Sequence, residues 1–185
     1  MSWIVRTLNR LARDRADVSM VEIALVMPVL VTTMIGGVEI ARFVLLEQKL
    51  DRVAATVADL ISQAETITAT EVDGLFDAIE HVAKPFEVMT KGRVILSSIT
   101  GQSTGGPVLN WQRSNGDLSD ASSGVASGGS VTLPAGFSLA AGDTVIIAEA
   151  YFDYTPLIFS GVLDDKRLYH RAMFRPRFGS LQTLG

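Results

Sequence analysis

Between Val18 and Ile40 the chain is apolar on every side of any helix drawn through it, with Ser19, Glu22, Thr32, Thr33 and Glu39 as the polar exceptions. At 1.5 Å per residue such a helix extends about 34 Å, enough to cross a hydrocarbon core of about 30 Å with some tilt. After Arg42 the pattern turns amphipathic without a break. Phe43, Leu46, Leu50, Val53, Val57, Leu60 and Ala64 recur at spacings of three and four, and Glu47, Gln48, Lys49, Asp51, Arg52 and Asp59 fill the other side. No Gly or Pro interrupts Ala41 to Thr66. The pattern predicts one long helix whose first part lies in lipid and whose second part packs on a domain. A second helix is predicted from Thr70 to Lys84. Thr68-Ala-Thr-Glu71 fits a capping box, Val72, Leu75, Phe76, Ile79 and Val82 form an apolar face, and Pro85 ends it.

From Gly92 the period shortens. Arg93–Thr100 and Val108–Arg113 read as strands separated by a Gly-rich turn, and Ser130–Leu133 as a short third. Ser114 to Gly129 is rich in Ser and Gly and reads as a solvated loop; its Asp117 and Asp120 lack the spacing of a calcium loop. Thr144–Tyr154 is continuously apolar in its first half, which places it centrally in a sheet. Leu157–Leu163 is an apolar excursion facing the membrane or a partner, and Lys166–Phe174 is the last strand. Two helices followed by consecutive strands predict an α+β fold with a small antiparallel sheet. The resulting plan is a basic leader over 1–17, a transmembrane helix over 18–40, an α+β domain over 41–177 and a tail over 178–185.

Charge gives the anchor an orientation. Arg6, Arg10, Arg13 and Arg15 precede the apolar run against only Asp14 and Asp17, which predicts an N-in topology. The net charge of −4 gives no sign of a nucleic-acid partner, and the absence of cysteine excludes disulfides and thiol chemistry. The only histidines, His81 and His170, fall on separate elements outside any zinc or nucleophile motif, so no metal, cofactor or enzyme activity is expected. Two residues of the anchor stand out. Glu22 lies about 6 Å along the axis from Val18, close enough to the interface to reach the headgroups, or placed to pair with a cation on a neighbouring subunit. Pro28 removes a hydrogen bond to the carbonyl of Ala24 and predicts a bend, although membrane helices tolerate proline well.

These residues resemble the TadE-like family of the tight-adherence (Flp) pilus assembly system. One block is Asp14-Arg-Ala-Asp-Val-Ser-Met-Val-Glu22-Ile-Ala-Leu-Val-Met-Pro28. The other is Ala141 to Glu149, continuing to Tyr154 and Pro156 and closing at Pro176-Arg177, with Trp111 in a middle strand. The likeness runs from about Asp14 to Arg177. It implies a minor pilin-like, or pseudopilin, component of the inner membrane with a periplasmic domain. The implied partners are other TadE-like proteins, the inner-membrane platform, the major pilin and a prepilin peptidase. By the family's pattern Glu22 is the fifth mature residue, which puts the cut between Asp17 and Val18. Asp17 stands where the family has a small residue, and Ile23 where it often has an aromatic. A different class of function, a membrane-anchored module that captures a ligand through Trp111 and the 114–129 loop, is the alternative.

Overall fold

The computed structural model describes residues 15–158 and 164–185, with side chains from Ser19 onward. The leader up to residue 14, the side chains of Asp17 and Val18, and residues 159–163 of the apolar excursion lie outside the described residues. The chain divides into two compact units, Met1–Arg42 and Phe43–Gly185.

Helix α1 covers Arg15–Ser62 as a single element, α2 covers Ala69–Ala83, and a short α3 covers Val88–Lys91. The apolar seam of α1 in the second unit is Leu46, Leu50, Val53, Ala54, Val57, Ala58 and Ile61, all buried. Leu60, assigned to the seam by its spacing, is exposed. A straight helix drifts by about 20° per heptad against a 3.5-residue repeat, and over this length the drift moves Ile61 into the place of Leu60. The capping box forms as predicted, with Glu71 N donating to the Thr68 hydroxyl and Thr68 N donating to the Glu71 carboxylate. Ala83 rather than Val82 completes the buried face of α2. The Lys49 ammonium donates to the freed carbonyl of Val82 at 3.1 Å.

The strands are β1 (Gly92–Thr100), β2 (Val108–Asn115), β3 (Ala126–Ser127), β4 (Ser130–Val131), β5 (Thr144–Tyr154) and β6 (Lys166–Phe174). Four of them form an antiparallel sheet in the order β2-β1-β5-β6, so β5 is an interior strand as its apolar run predicts. Val94, Leu96, Ile146, Ala148, Ala150, Phe152 and Leu168 point from the sheet into the core beneath α1 and α2. The opposite face is also covered. There Ile99, Val145 and Ile147 pack beneath Val125 and Ala126, with Leu133, Phe137 and Leu139 alongside.

The cover on that face comes from the segment between β2 and β5, and here the structure corrects the reading of a solvated loop. Ala121, Ser123, Val125 and Ala126 are all buried. β3 and β4 form a small hairpin around Gly128-Gly129, both in the left-handed region that a two-residue turn of this kind requires. The C-terminal tail likewise belongs to the domain. Leu181 is buried, Leu184 bridges to Ile67, and Gly185 N donates to the Ile67 carbonyl at 3.0 Å.

Candidate functional site

The first candidate surface is α1 itself. From Met20 to Ile40 twelve large apolar side chains are exposed, with Met20, Leu25, Met34 and Ile40 each about two-thirds or more open. Leaving such a side chain in water costs about 1.5–3 kcal/mol relative to burying it, so this surface calls for lipid or a protein partner. The helix is long and apolar enough to cross a membrane and carries few charges. Glu22 lies exposed on this surface, among Ile23, Val26 and Met27. Pro28 is within the helix, which continues through it. One turn on, the Thr32 and Thr33 hydroxyls donate to the carbonyls of Pro28 and Val29 at 2.7 and 2.8 Å. Both hydroxyls are therefore satisfied inside the helix, as an apolar surrounding demands.

The second site is built on Glu149, which has no exposed surface. Strand alternation aims it away from α1, between Ile95 of β1 and Arg171 of β6. The 116–127 segment closes over it. The Ser123 hydroxyl donates to one carboxylate oxygen, while Gly124 N at 2.9 Å and the Tyr169 hydroxyl at 2.7 Å donate to the other. Ser123 also accepts from Val125 N and Ala126 N, so one hydroxyl holds both the loop and the carboxylate. A side chain at Gly124 would crowd Glu149 Oε1 and the hydroxyls of Tyr151 and Tyr169. Tyr169 has its phenol pushed well up by burial first, and then by its hydrogen bond to Glu149 and that group's charge. Tyr151, stacked at 4.8 Å on Tyr169, is raised for the same leading reason. The arrangement fastens the loop to the sheet.

A third set of contacts joins α1 to β6 and the tail. The Phe43 ring meets Tyr154 edge-on at 5.3 Å, with the Lys166 ammonium 5.4 Å over it. Further along, His170 Nε2 bonds Glu47, and Arg177 bonds Asp59 at 2.7 Å while its backbone N donates to the Ser62 carbonyl at 2.7 Å. Arg177 thereby closes the end of α1. Trp111 is buried, and its indole N–H donates to the Leu181 carbonyl at 2.9 Å, which also accepts from Ser98. Pro156 is buried after β5 and Pro176 half-buried after β6. The Asp120 side chain pairs with Arg167, which also holds Asp153. A groove of about 390 Å³ opens between the β1–β2 turn and the segment after β4, lined by Gly101, Pro107, Leu133, Phe137 and Leu139.

Residues 18–59 match the TadE-like protein family. The match begins at Val18, takes in Glu22 and Pro28, and ends within the amphipathic part of α1. This is the family the sequence resembles. No curated protein and no solved structure matches the chain. Trp111, Glu149, Tyr154, Pro156, Pro176 and Arg177 lie beyond the TadE-like match, and Trp111, Glu149, Tyr154 and Arg177 make contacts within the domain.

Sequence reasoning singled out Glu149 through the resemblance but missed its partners Ser123, Gly124 and Tyr169. A signal was present. An acid set between Ala148 and Ala150 in an interior strand must find donors, and the nearest uncommitted ones are in the Ser-rich segment.

Proposed function

We propose that the protein is a minor pilin-like component of a tight-adherence pilus assembly system. In this reading it is anchored in the inner membrane by α1, with its N-terminus cytoplasmic and its α+β domain periplasmic. It acts through protein contacts and catalyses no reaction. The observation that carries the proposal is the TadE-like match over a helix whose large apolar side chains are exposed among the described residues. Partners related to it, the membrane platform and the major pilin are the proteins that such a helix would meet.

Deleting the gene should abolish surface pili while leaving pilin synthesis intact, and normal piliation would refute the proposal. The mature N-terminus separates its two forms: Val18 marks processing by a prepilin peptidase after Asp17, and Met1 or Ser2 marks an uncut anchor. Glu22→Gln keeps shape and removes charge, so reduced pilus assembly with normal membrane insertion is expected. In the ligand-capture alternative, Trp111 is already bonded to the tail and Gly124 to Glu149, so a ligand would meet the exposed positions of the 114–129 segment, and a ligand-shifted melting temperature would support it.

A further inference from the structure

We propose that Asn115 is a site of spontaneous backbone modification, at which attack by the Gly116 nitrogen on the side-chain amide releases the segment after β2 from β1. Asn115 and Gly116 form the only Asn-Gly pair in the sequence. The pair stands at the end of β2, where Asn115 is exposed to water. Gly116 N donates to Asn115 Oδ1 at 2.8 Å, so adding one C=O length leaves that nitrogen no more than about 4 Å from Cγ. No side chain on residue 116 shields Cγ, and the fold admits none. Gly116 has a φ of +120°, and a Cβ there would stand 2.4 Å from the Gly92 carbonyl oxygen. Asn110 is the contrast within the same strand. It is half-buried, its Nδ2 donates to the Ser98 and Thr100 hydroxyls at 3.0 and 2.8 Å, and the bulky Trp111 follows it.

The attack forms a bond from the Gly116 nitrogen, which gives up its proton, to Cγ of Asn115. It breaks the bond from Cγ to the side-chain nitrogen, which leaves as ammonia. The two groups are held together by the chain itself, so the step is intramolecular. Water then opens the resulting succinimide at either carbonyl. Opening at Cγ gives aspartate, and opening at the main-chain carbonyl gives isoaspartate, in which the backbone runs through the side chain and gains one carbon. The segment that follows has no slack for it. Asp117 N donates to the Met89 carbonyl at 2.8 Å, and Leu118 N to the Gly92 carbonyl at 3.2 Å. Arg93 donates to the carbonyls of Leu118 and Ser119. One added carbon puts all of these out of step with β1.

The test holds the full-length protein in detergent at mildly alkaline pH, which favours loss of the amide proton, and follows tryptic peptides by mass spectrometry. Cleavage after Arg93, Arg113 and Lys166 puts Asn110 and Asn115 in separate peptides, 94–113 and 114–166. The 114–166 peptide should progressively exchange NH for O and become a substrate for an isoaspartyl-specific methyltransferase, while 94–113 stays unchanged. Asn115→Gln, which would need a larger ring, should stop the conversion. Amide exchange at Asp117 and Leu118 should quicken in the converted fraction. Asn115→Asp, which adds the charge without the extra carbon, should leave that exchange as in the wild type. Conversion at 115 no faster than at 110, or conversion only in urea, would overturn the site. Unchanged exchange in the converted fraction would overturn the release of the segment.

Discussion

Ser123→Ala removes one hydroxyl from a segment whose composition reads as solvent-facing loop. If that reading held, the change would fall within about 0.5 kcal/mol, as surface substitutions do. The structure gives a larger figure. Ser123 is 6% exposed, donates to the fully buried Glu149, and accepts from Val125 N and Ala126 N at 3.2 and 2.9 Å. Deleting it leaves a buried carboxylate oxygen one donor short and two amides without their acceptor. At about 1–3 kcal/mol for each buried group left unsatisfied, and allowing for partial relaxation, the loss should be roughly 2–4 kcal/mol. For a domain of this size that is a fall in Tm of roughly 8–15 °C. Urea or thermal unfolding of the detergent-solubilised protein measures it, with the exposed neighbour in Ser122→Ala as the control expected to change nothing. Amide exchange should also quicken at Gly124, Val125 and Ala126 before the sheet is affected. A Ser123→Ala protein as stable as the Ser122→Ala control would refute the fastening of this segment through Glu149.

Two further outcomes follow from contacts elsewhere in the domain. Trp111→Phe keeps an aromatic ring in the core but removes the donor to the Leu181 carbonyl, so it should cost about 0.5–1.5 kcal/mol and make the chain after Arg177 more susceptible to carboxypeptidase. The side-chain hydrogen bond from Arg167 is the main cause holding the Asp153 carboxyl below its ordinary range. A depressed pKa contributes stability that is complete above the unfolded value, near 4, and is lost as pH falls through the folded one. Arg167→Gln should therefore be less stable than the wild type at neutral pH, and the gap should narrow on acidification from about pH 5 to pH 2; a gap constant with pH would remove the ion pair as its cause.

How much of this was legible depended on whether a residue's partner was local. The cap of α2 is written in four consecutive residues, and β5 is announced by its run of apolar residues, so both appeared where expected. The helical seam of α1 was legible too, apart from Leu60 and Ile61, where only the accumulated drift of a straight helix decides which faces inward. Ser123, Gly124 and Arg177 were illegible because their partners stand 26, 25 and 118 positions away. A serine- and glycine-rich stretch has the same composition whether it floats in water or lies across a sheet. The difference resides in Glu149, whose unmet need for donors is visible only once strand alternation shows which face it occupies. The tail escaped for a similar reason, since nothing local tells Leu181 that a tryptophan and a serine await its carbonyl.

The contacts of α1 with Tyr154, with β6 and with Arg177 bear on mechanics. In the proposed role the protein would be tethered at one end and engaged in an assembly at the other, and so pulled along its length. Residues 43–62 of α1 are part of the core of the second unit, and no Gly or Pro lies between Ala41 and Ser62. The links at Phe43, Glu47 and Asp59 hold this stretch to the sheet and to Arg177 at three separate points. The tail is joined to the far end of the same helix, where Arg177 N donates to the Ser62 carbonyl.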